Sequence, residues 1–351
     1  MARFSETAVR SFSEDVLRAL GASDEETRVN ADGLVTACLW WHPGQHQGLE
    51  KLFRYVRRVK NGGIVPCAKM AWAEQKPSSV LLDAAKGFGY VAAFRAMTRA
   101  VEKARESGIA IVGVRNSNHF GIAGYHARLA ATRGLIGIAM TNAGAEMAPW
   151  GSAKPVLGTN PWGIAVPRGG GHDPIVLDMA LTRSGKGMMR WFERAGLPMP
   201  DHWALTRDGQ RTTDPSAGRD GPLLPVGDYK GYGLSLVTDV LTGVMTGALF
   251  GGSVFQDDQN YDVGHAMIAV DPEAFLPHGE FPVRLERLID EVKAAPRIDA
   301  SQPILLPGEA EQERARRRLS GGIPIDVQTV ERLETLAEEV GAPFPFTEEL
   351  S

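Results

Sequence analysis

Cysteine is scarce in this sequence: Cys38 and Cys67 are the two among 351 residues, and neither stands in a metal-ligand spacing. That usage argues for inert thiols in a reducing compartment and against a disulfide-stapled secreted fold. Long apolar runs are missing too. The most apolar stretch, LSLVTDVLTGVMTGALFGG, is broken by Asp239 and several glycines, so no membrane span is expected. The opening MARFSETAVRS lacks the apolar centre of a signal peptide, and a cytoplasmic location is expected. Charge of one sign does not accumulate: 38 Lys and Arg against 42 Asp and Glu leave a formal net charge of −4. The single cationic run, residues 314–319, is interleaved with Glu309, Glu311 and Glu313 as a mixed helix face. Neither nucleic acid nor an anionic membrane is an expected partner.

Several chemistries lack their motifs. TRSGKG at 182–187 has neither the upstream glycine nor the Ser or Thr after lysine that a phosphate-binding P-loop needs. The eight histidines include no HExxH or comparable ligand pair, and His119 and His126 fall two turns apart, so no metal is expected. No GxSxG elbow offers a serine nucleophile.

The chain does have ample apolar content for a core, at 43%, and its length suggests roughly two to three domains. Val9, Phe12, Val16, Leu17 and Leu20 recur at helical spacing, Ser23 with Glu26 forms a capping box for a second helix, and a third is expected over about 49–60, before Gly62 and Gly63. From Ser79 the texture changes to short apolar strands (SVLLDA, IAIVGV, LIGIAMTN, GIAVP, IVLDMA) between glycine-rich turns and helices, the pattern of an α/β core. Residues 196–225, rich in Pro, Gly and Asp, read as a long loop over the surface or the site. A long apolar helix is expected over about 231–249, then a strand, HAMIAVD, and helices over about 283–294, 310–319 and 327–340. The organisation expected is a helical N-terminal domain, 1–75, completed by 281–351, around an α/β core, 76–280.

Residues 115–162 are the most informative. IAIVGVRN reads as a buried strand, GIAGYHARLAATRG as a helix stopped by Gly134, and His119 stands at the junction between them, near helix N–H groups able to hold an anion. Within NSNHFG, His119 is either a general acid or base oriented by Asn116, Ser117 and Asn118, or a structural histidine capping the following helix. Asp178, at the end of IVLDMA, reads by itself as a cap for the next helix. GFGYVA at 87–92 fits the GxGxxA dinucleotide fingerprint, but the next strand ends in Arg115 and Asn116 where an acidic residue should meet the ribose. The plainer reading is two glycines that allow a tight turn.

The ordered motifs RNSNHFGIAGYHA, MAPWG, LGTNPW, VLDMA, YKGYGLSLVTDVLTG, AVDPEAF, LPGEAE and GGIPI together resemble the type-2 malate/L-lactate dehydrogenase family over almost the whole chain. The resemblance implies a non-Rossmann malate/L-lactate dehydrogenase-type fold, a homodimer, and NAD- or NADP-dependent interconversion of a 2-hydroxy or 2-amino acid with its 2-oxo or 2-imino form. It implies cofactor contacts from His119, Phe120 and Gly121, from Asp178, Met179, Ala180 and Leu181, from Lys230 and Gly231, and from Gly308 and Glu309. Thr159 would face the substrate, a small carboxylate.

The chain departs from the family pattern DSHGxxRLxxY, for which it carries GQHQGLEKLFRY at 44–55. The family's Ser-His pair becomes His46 and Gln47, and its arginine becomes Lys51. Gln47 cannot donate and recover a proton at neutral pH, although it can still bind substrate, and Lys51 keeps a positive charge without the bidentate fork. The expectation is that His119 or His46 moves the proton while Lys51, with Thr159 and Arg183, holds the carboxylate. Cyclic-imine reduction, and cofactor binding with the reaction altered or lost, are the alternatives.

Overall fold

Side-chain oxygens start the first helices. Ser5 accepts from the Ala8 N–H to open α1 (Glu6–Ala19), and Ser23 and Glu26 exchange hydrogen bonds in a complete capping box to open α2 (Asp24–Trp40). A short turn leads into α3 (Lys51–Lys60). This computed structural model describes residues 1–346, so the last five positions of the helical segment expected over 281–351 lie outside the described residues.

The terminal segments meet: β1 (Ala2–Phe4) pairs antiparallel with β9 (Ile323–Ile325). The main sheet is built from β2 (Ala71–Lys76), β3 (Ser79–Asp83), β4 (Ile109–Ser117), β5 (Ile136–Thr141), β6 (Trp162–Val166), β7 (Ile175–Met179) and β8 (Val263–Val270). Its order is β2-β3-β4-β8-β5-β6-β7. Only β3 and β4 run parallel; β8 is inserted antiparallel between β4 and β5, two strands consecutive in the chain. A Rossmann sheet is thereby ruled out, as the resemblance implied.

Helices α4 (Gly89–Ser107) and α5 (Ala123–Ala131) pack on this sheet and carry the N-terminal helices outside them. One continuous apolar core results, running from Phe12 and Leu34 in the helical layer through Val91 and Ala96 to Val112 and Met267 in the sheet. The remaining helices are α6 (Lys186–Arg194), α7 (Pro215–Asp220), α8 (Tyr229–Asp239), α9 (Glu280–Lys293), α10 (Glu309–Gly321) and α11 (Val327–Val340). Arg318 of α10 donates to Cys38 O and Trp41 O, placing a cation where it completes the C-terminus of α2.

Two expectations are corrected. Residues 196–225 are not a structureless loop: Met199, Ala204 and Leu223 close a small core with Met189 and Phe192 of α6. The helix expected over 231–249 stops at Asp239 and widens into a π-turn, Val240–Val244, where Thr242 and Thr246 donate to carbonyls one turn back and Gly247 (φ +78°) ends the run.

Gly87 of GFGYVA closes the tight turn expected, donating its N–H to Ala84 O at 2.7 Å, but Gly89 has a different role. Neither has positive φ. A Cβ on Gly89 would sit 2.2 Å from Asn118 O and 2.4 Å from His119 O, so glycine is what lets α4 start against the His119 turn. Gly89→Ala should therefore lower stability by roughly 1–3 kcal/mol, whereas Gly233→Ala, in open space within α8, should be neutral or stabilising by up to about 1 kcal/mol. Urea midpoints of the two variants check this, and equal midpoints would refute the close-contact account.

Candidate active site

Strand β4 ends in a bulge. Its register with β8 shifts between Val114 and Ser117, and Asn116 takes a left-handed conformation (φ +53°) with its N–H donated to the Asp262 carboxylate. The bulge delivers Asn118 into the interior, where its amide donates to Gly63 O, Lys86 O and Gly87 O and its oxygen accepts from the buried Arg58 guanidinium at 3.0 Å. Arg58 also donates to Gly63 O and Asp258 O and lies 3.1 Å from the centre of the Tyr261 ring. His119 is therefore presented from a turn with little freedom.

Its ring is half-buried, and Nδ1 accepts the Gly121 N–H at 3.3 Å, which leaves Nε2 to carry the proton of the neutral imidazole. Burial first, and then the positive charges of Lys51 and Arg54, hold its pKa well below the usual imidazole range. Phe120 is fully buried and sandwiched between the rings of His126 and His265, both 4.9 Å away. Gly121 (φ +83°) has no room for a Cβ, which would fall 1.7 Å from the Tyr90 ring.

From this turn the other motifs follow in a connected rim. The Asp178 carboxylate accepts the Gly124 N–H at 2.8 Å, so it does cap a helix, but α5 across the sheet rather than the next in sequence. It is itself the anion at that N-terminus, and burial still raises its pKa to about 7. Leu181 donates to Thr159 O, and a Cβ on Gly231 would meet Val226 O at 2.3 Å and Leu181 O at 2.9 Å. Asp178 and Gly308 line one cavity of about 340 Å³, with Val176, Leu177, Pro307 and Glu311.

Of the residues expected to hold the cofactor, Asp178, Gly308, Lys230 and the glycine turns have chemistry suited to a dinucleotide, whereas the Phe120 and Leu181 side chains are buried. The cavity offers apolar walls for a base and the Asp178 and Glu311 carboxylates as acceptors for ribose hydroxyls. Glycine turns and the exposed Lys230, which has no ion-pair partner among the described residues, suit a pyrophosphate. Glu309 is otherwise engaged: its carboxylate accepts the Leu306 N–H and is paired with Lys293.

On the substrate side, Lys51 opens α3, and its charge acts on His119. Burial and Arg54 lower its pKa to about 7, against the opposing effects of Glu50 and Glu146, with Arg190 of α6 adding to the lowering. Among the described residues none of Lys51, Arg54 and Arg190 has a carboxylate partner within ion-pair distance, whereas most arginines in the chain do. The remaining candidates are held elsewhere. His46 (φ +52°) has Nδ1 3.3 Å from Glu50 and Nε2 3.2 Å from Arg194; Gln47 lines a separate cleft with Trp41, Cys38 and Ile323; Arg183 is paired with Asp228 at 3.0 Å. Sequence reasoning missed Arg54, Arg58, Tyr90 and Glu146. Only the glycines beside Tyr90 carried a usable signal.

The whole layout can be set beside known proteins. The malate/L-lactate dehydrogenase family model matches residues 4–334. The chain belongs to this family. A malate dehydrogenase of Pyrococcus abyssi is 38% identical over 340 residues, which cover 94% of this chain and 93% of that protein. The solved sulfolactate dehydrogenase of Methanocaldococcus jannaschii superposes with a TM-score of 0.89 at 32% identity over 98% of both chains. The Δ1-piperideine-2-carboxylate reductase structure from Pseudomonas syringae matches with a TM-score of 0.83 at 28% identity, covering 96% of this chain and 100% of that one. This malate/L-lactate dehydrogenase family member is accordingly an oxidoreductase, with the family's mixed α/β fold.

The histidines packed around Phe120 make a stability prediction for the family member. Burial lowers the pKa of His126 to about 4 and of His265 to about 3, from an ordinary 6.5. Below pH 6.5 the unfolded chain binds protons that the folded one refuses, so stability is full above pH 6.5 and falls as the pH drops from 6.5 towards 4. Urea midpoints between pH 8 and 4.5 should show that decline, and it should flatten in His126→Phe; a flat wild-type profile would contradict the account.

Proposed function

We propose that this protein is a cytoplasmic, homodimeric, nicotinamide-dependent dehydrogenase that interconverts a small 2-oxo acid and its 2-hydroxy acid. The observation that carries this reading is the neutral His119 imidazole, presenting Nε2–H beside the unpaired cations Lys51, Arg54 and Arg190, at the end of a rim suited to a dinucleotide. NAD or NADP, when bound along that rim, supplies or accepts the hydride. His119 Nε2–H donates to the substrate oxygen at the 2-carbon and stabilises the charge that develops there. The cations and Thr159 hold the carboxylate, and the apolar surroundings strengthen each of these contacts.

His46, with both ring nitrogens engaged, is given a positioning role between α3 and α6. Arg183, paired with Asp228 near Lys230, belongs with the cofactor side rather than the carboxylate. The unpaired cations favour acids with a second negative group, such as the malate and sulfolactate named for the relatives. The homodimer rests on the family and on the exposed Leu236, Val237, Val240, Val244 and Met245 of α8 and its π-turn.

The test is a panel of 2-oxo acids and cyclic imines with NADH and NADPH, read as loss of reduced-nicotinamide absorbance. Oxaloacetate or sulfopyruvate should be reduced, and His119→Ala should cut kcat on the order of 10²-fold while NADH fluorescence still reports binding. His46→Ala should stay within several-fold of wild type. Reduction of cyclic imines alone would replace this reading with imine reduction, and nucleotide binding without turnover of any compound would refute it.

A further inference from the structure

We propose that the acidic cavity at Asp178 holds the adenosine half of the cofactor and makes the protein select NAD over NADP, with Glu311 as the residue that sets the choice. The inference deepens the cofactor reading above and rests on it.

The size and lining of the cavity decide which part of a dinucleotide it takes. At about 340 Å³ it lies at the lower end of small-molecule sites, roughly 300–1,000 Å³, so it has room for one nucleoside and not for a whole dinucleotide. Neither His119 nor Thr159 lines it, and the reacting nicotinamide must lie beside His119. The adenosine end is what remains. Trp40, Val176, Leu306 and Pro307 give the apolar walls that a purine needs. The Asp178 hydrogen bond to the Gly124 N–H places the cavity at the N-terminus of α5. Gly124 follows His119 by five residues, at most roughly 18 Å of chain, a span that an extended dinucleotide bridges.

The charge in the cavity has one sign. Among the described residues its lining holds two carboxylates, Asp178 and Glu311, and no lysine, arginine, histidine or hydroxyl side chain. Asp178 spends Oδ2 on the Gly124 N–H at 2.8 Å, and its Oδ1 has no hydrogen-bond partner among the described residues. The Glu311 carboxylate, in the first turn of α10, accepts no hydrogen bond there either. Its ion-pair partner is Arg314 at 3.9 Å, whose Nη1 is committed to Trp40 O. A second cation, Arg128, stands over the Trp40 ring at 5.9 Å and is not part of the lining. The Gln312 amide is spent on Pro174 O.

Such acceptors suit a ribose whose 2′- and 3′-hydroxyls can donate. A 2′-phosphate in the same place offers acceptors only, carries about −1.5 to −2 charge at neutral pH, and meets a like charge where it needs a donor. Like charges forced together at a binding surface lower affinity by on the order of 10²-fold or more. Asp178 also caps α5, so Glu311 is the carboxylate that can be changed without disturbing the helix behind the His119 turn.

Titration of the wild-type protein with NADH and with NADPH, followed by reduced-nicotinamide fluorescence, tests the proposal without any substrate. NADPH should bind on the order of 10²-fold more weakly than NADH. Adenosine 5′-monophosphate should displace NADH, and adenosine 2′,5′-bisphosphate should do so far less well. Glu311→Gln, which keeps the shape and removes the charge, should narrow the NADH-to-NADPH ratio roughly tenfold, and Glu311→Lys should bring it to about unity or below by tightening NADPH.

Equal or tighter binding of NADPH by the wild type would overturn the proposal. So would a failure of adenosine 5′-monophosphate to compete, or an unchanged ratio in Glu311→Gln. A wild-type protein that binds neither dinucleotide would instead overturn the cofactor reading, and this selection with it.

Discussion

Asn118 is the residue on which the site depends. Its two amide N–H groups are shared among three carbonyls from two different segments, and its oxygen is held by Arg58, itself buried and bound to Gly63 O and Asp258 O. A buried side-chain amide and a buried guanidinium are each costly unless fully partnered. The geometry that partners them is the one that brings α3, the start of α4 and the end of β4 together. His119 inherits its position from that bundle of hydrogen bonds.

The second constraint is close approach. Gly89 allows α4 to begin against the backbone of the His119 turn, Gly121 makes room for Tyr90, and Gly231 allows α8 to begin against Leu181. Such contacts leave no side chain to carry specificity, so recognition passes to the rims of the contacts: a half-buried cationic patch on one side and a carboxylate-lined cavity on the other. Burial also decides protonation. It keeps His119, His126 and His265 neutral and brings the Lys51 ammonium and the Asp178 carboxyl close to neutrality from opposite directions.

Much of this was legible from the residues. The capping box at Ser23, the six strands from SVLLDA to HAMIAVD and the three C-terminal helices all announce themselves through local periodicity and caps, and the structure has each of them within a few residues. His119, Asp178, Gly231 and Gly308 could be picked out through motifs. Arg54, Arg58 and Glu146 could not, because a lone Arg or Glu at helical or loop spacing looks the same whether it faces solvent or a site. The exchange of Gln47 and Lys51 into a catalytic segment was visible, but not which of the neighbouring ionisable groups would remain free.

By itself the sequence determined the elements, their approximate ends and the family, since these rest on short-range periodicity, capping chemistry and the order of motifs along the chain. Tertiary structure alone decided that β8 separates β4 from β5, that Asp178 caps α5 rather than α6, and that His46 is held between Glu50 and Arg194. Each of these depends on pairings between residues tens to hundreds of positions apart. Their charges and hydrogen bonds take on meaning only once folding has removed the water between them.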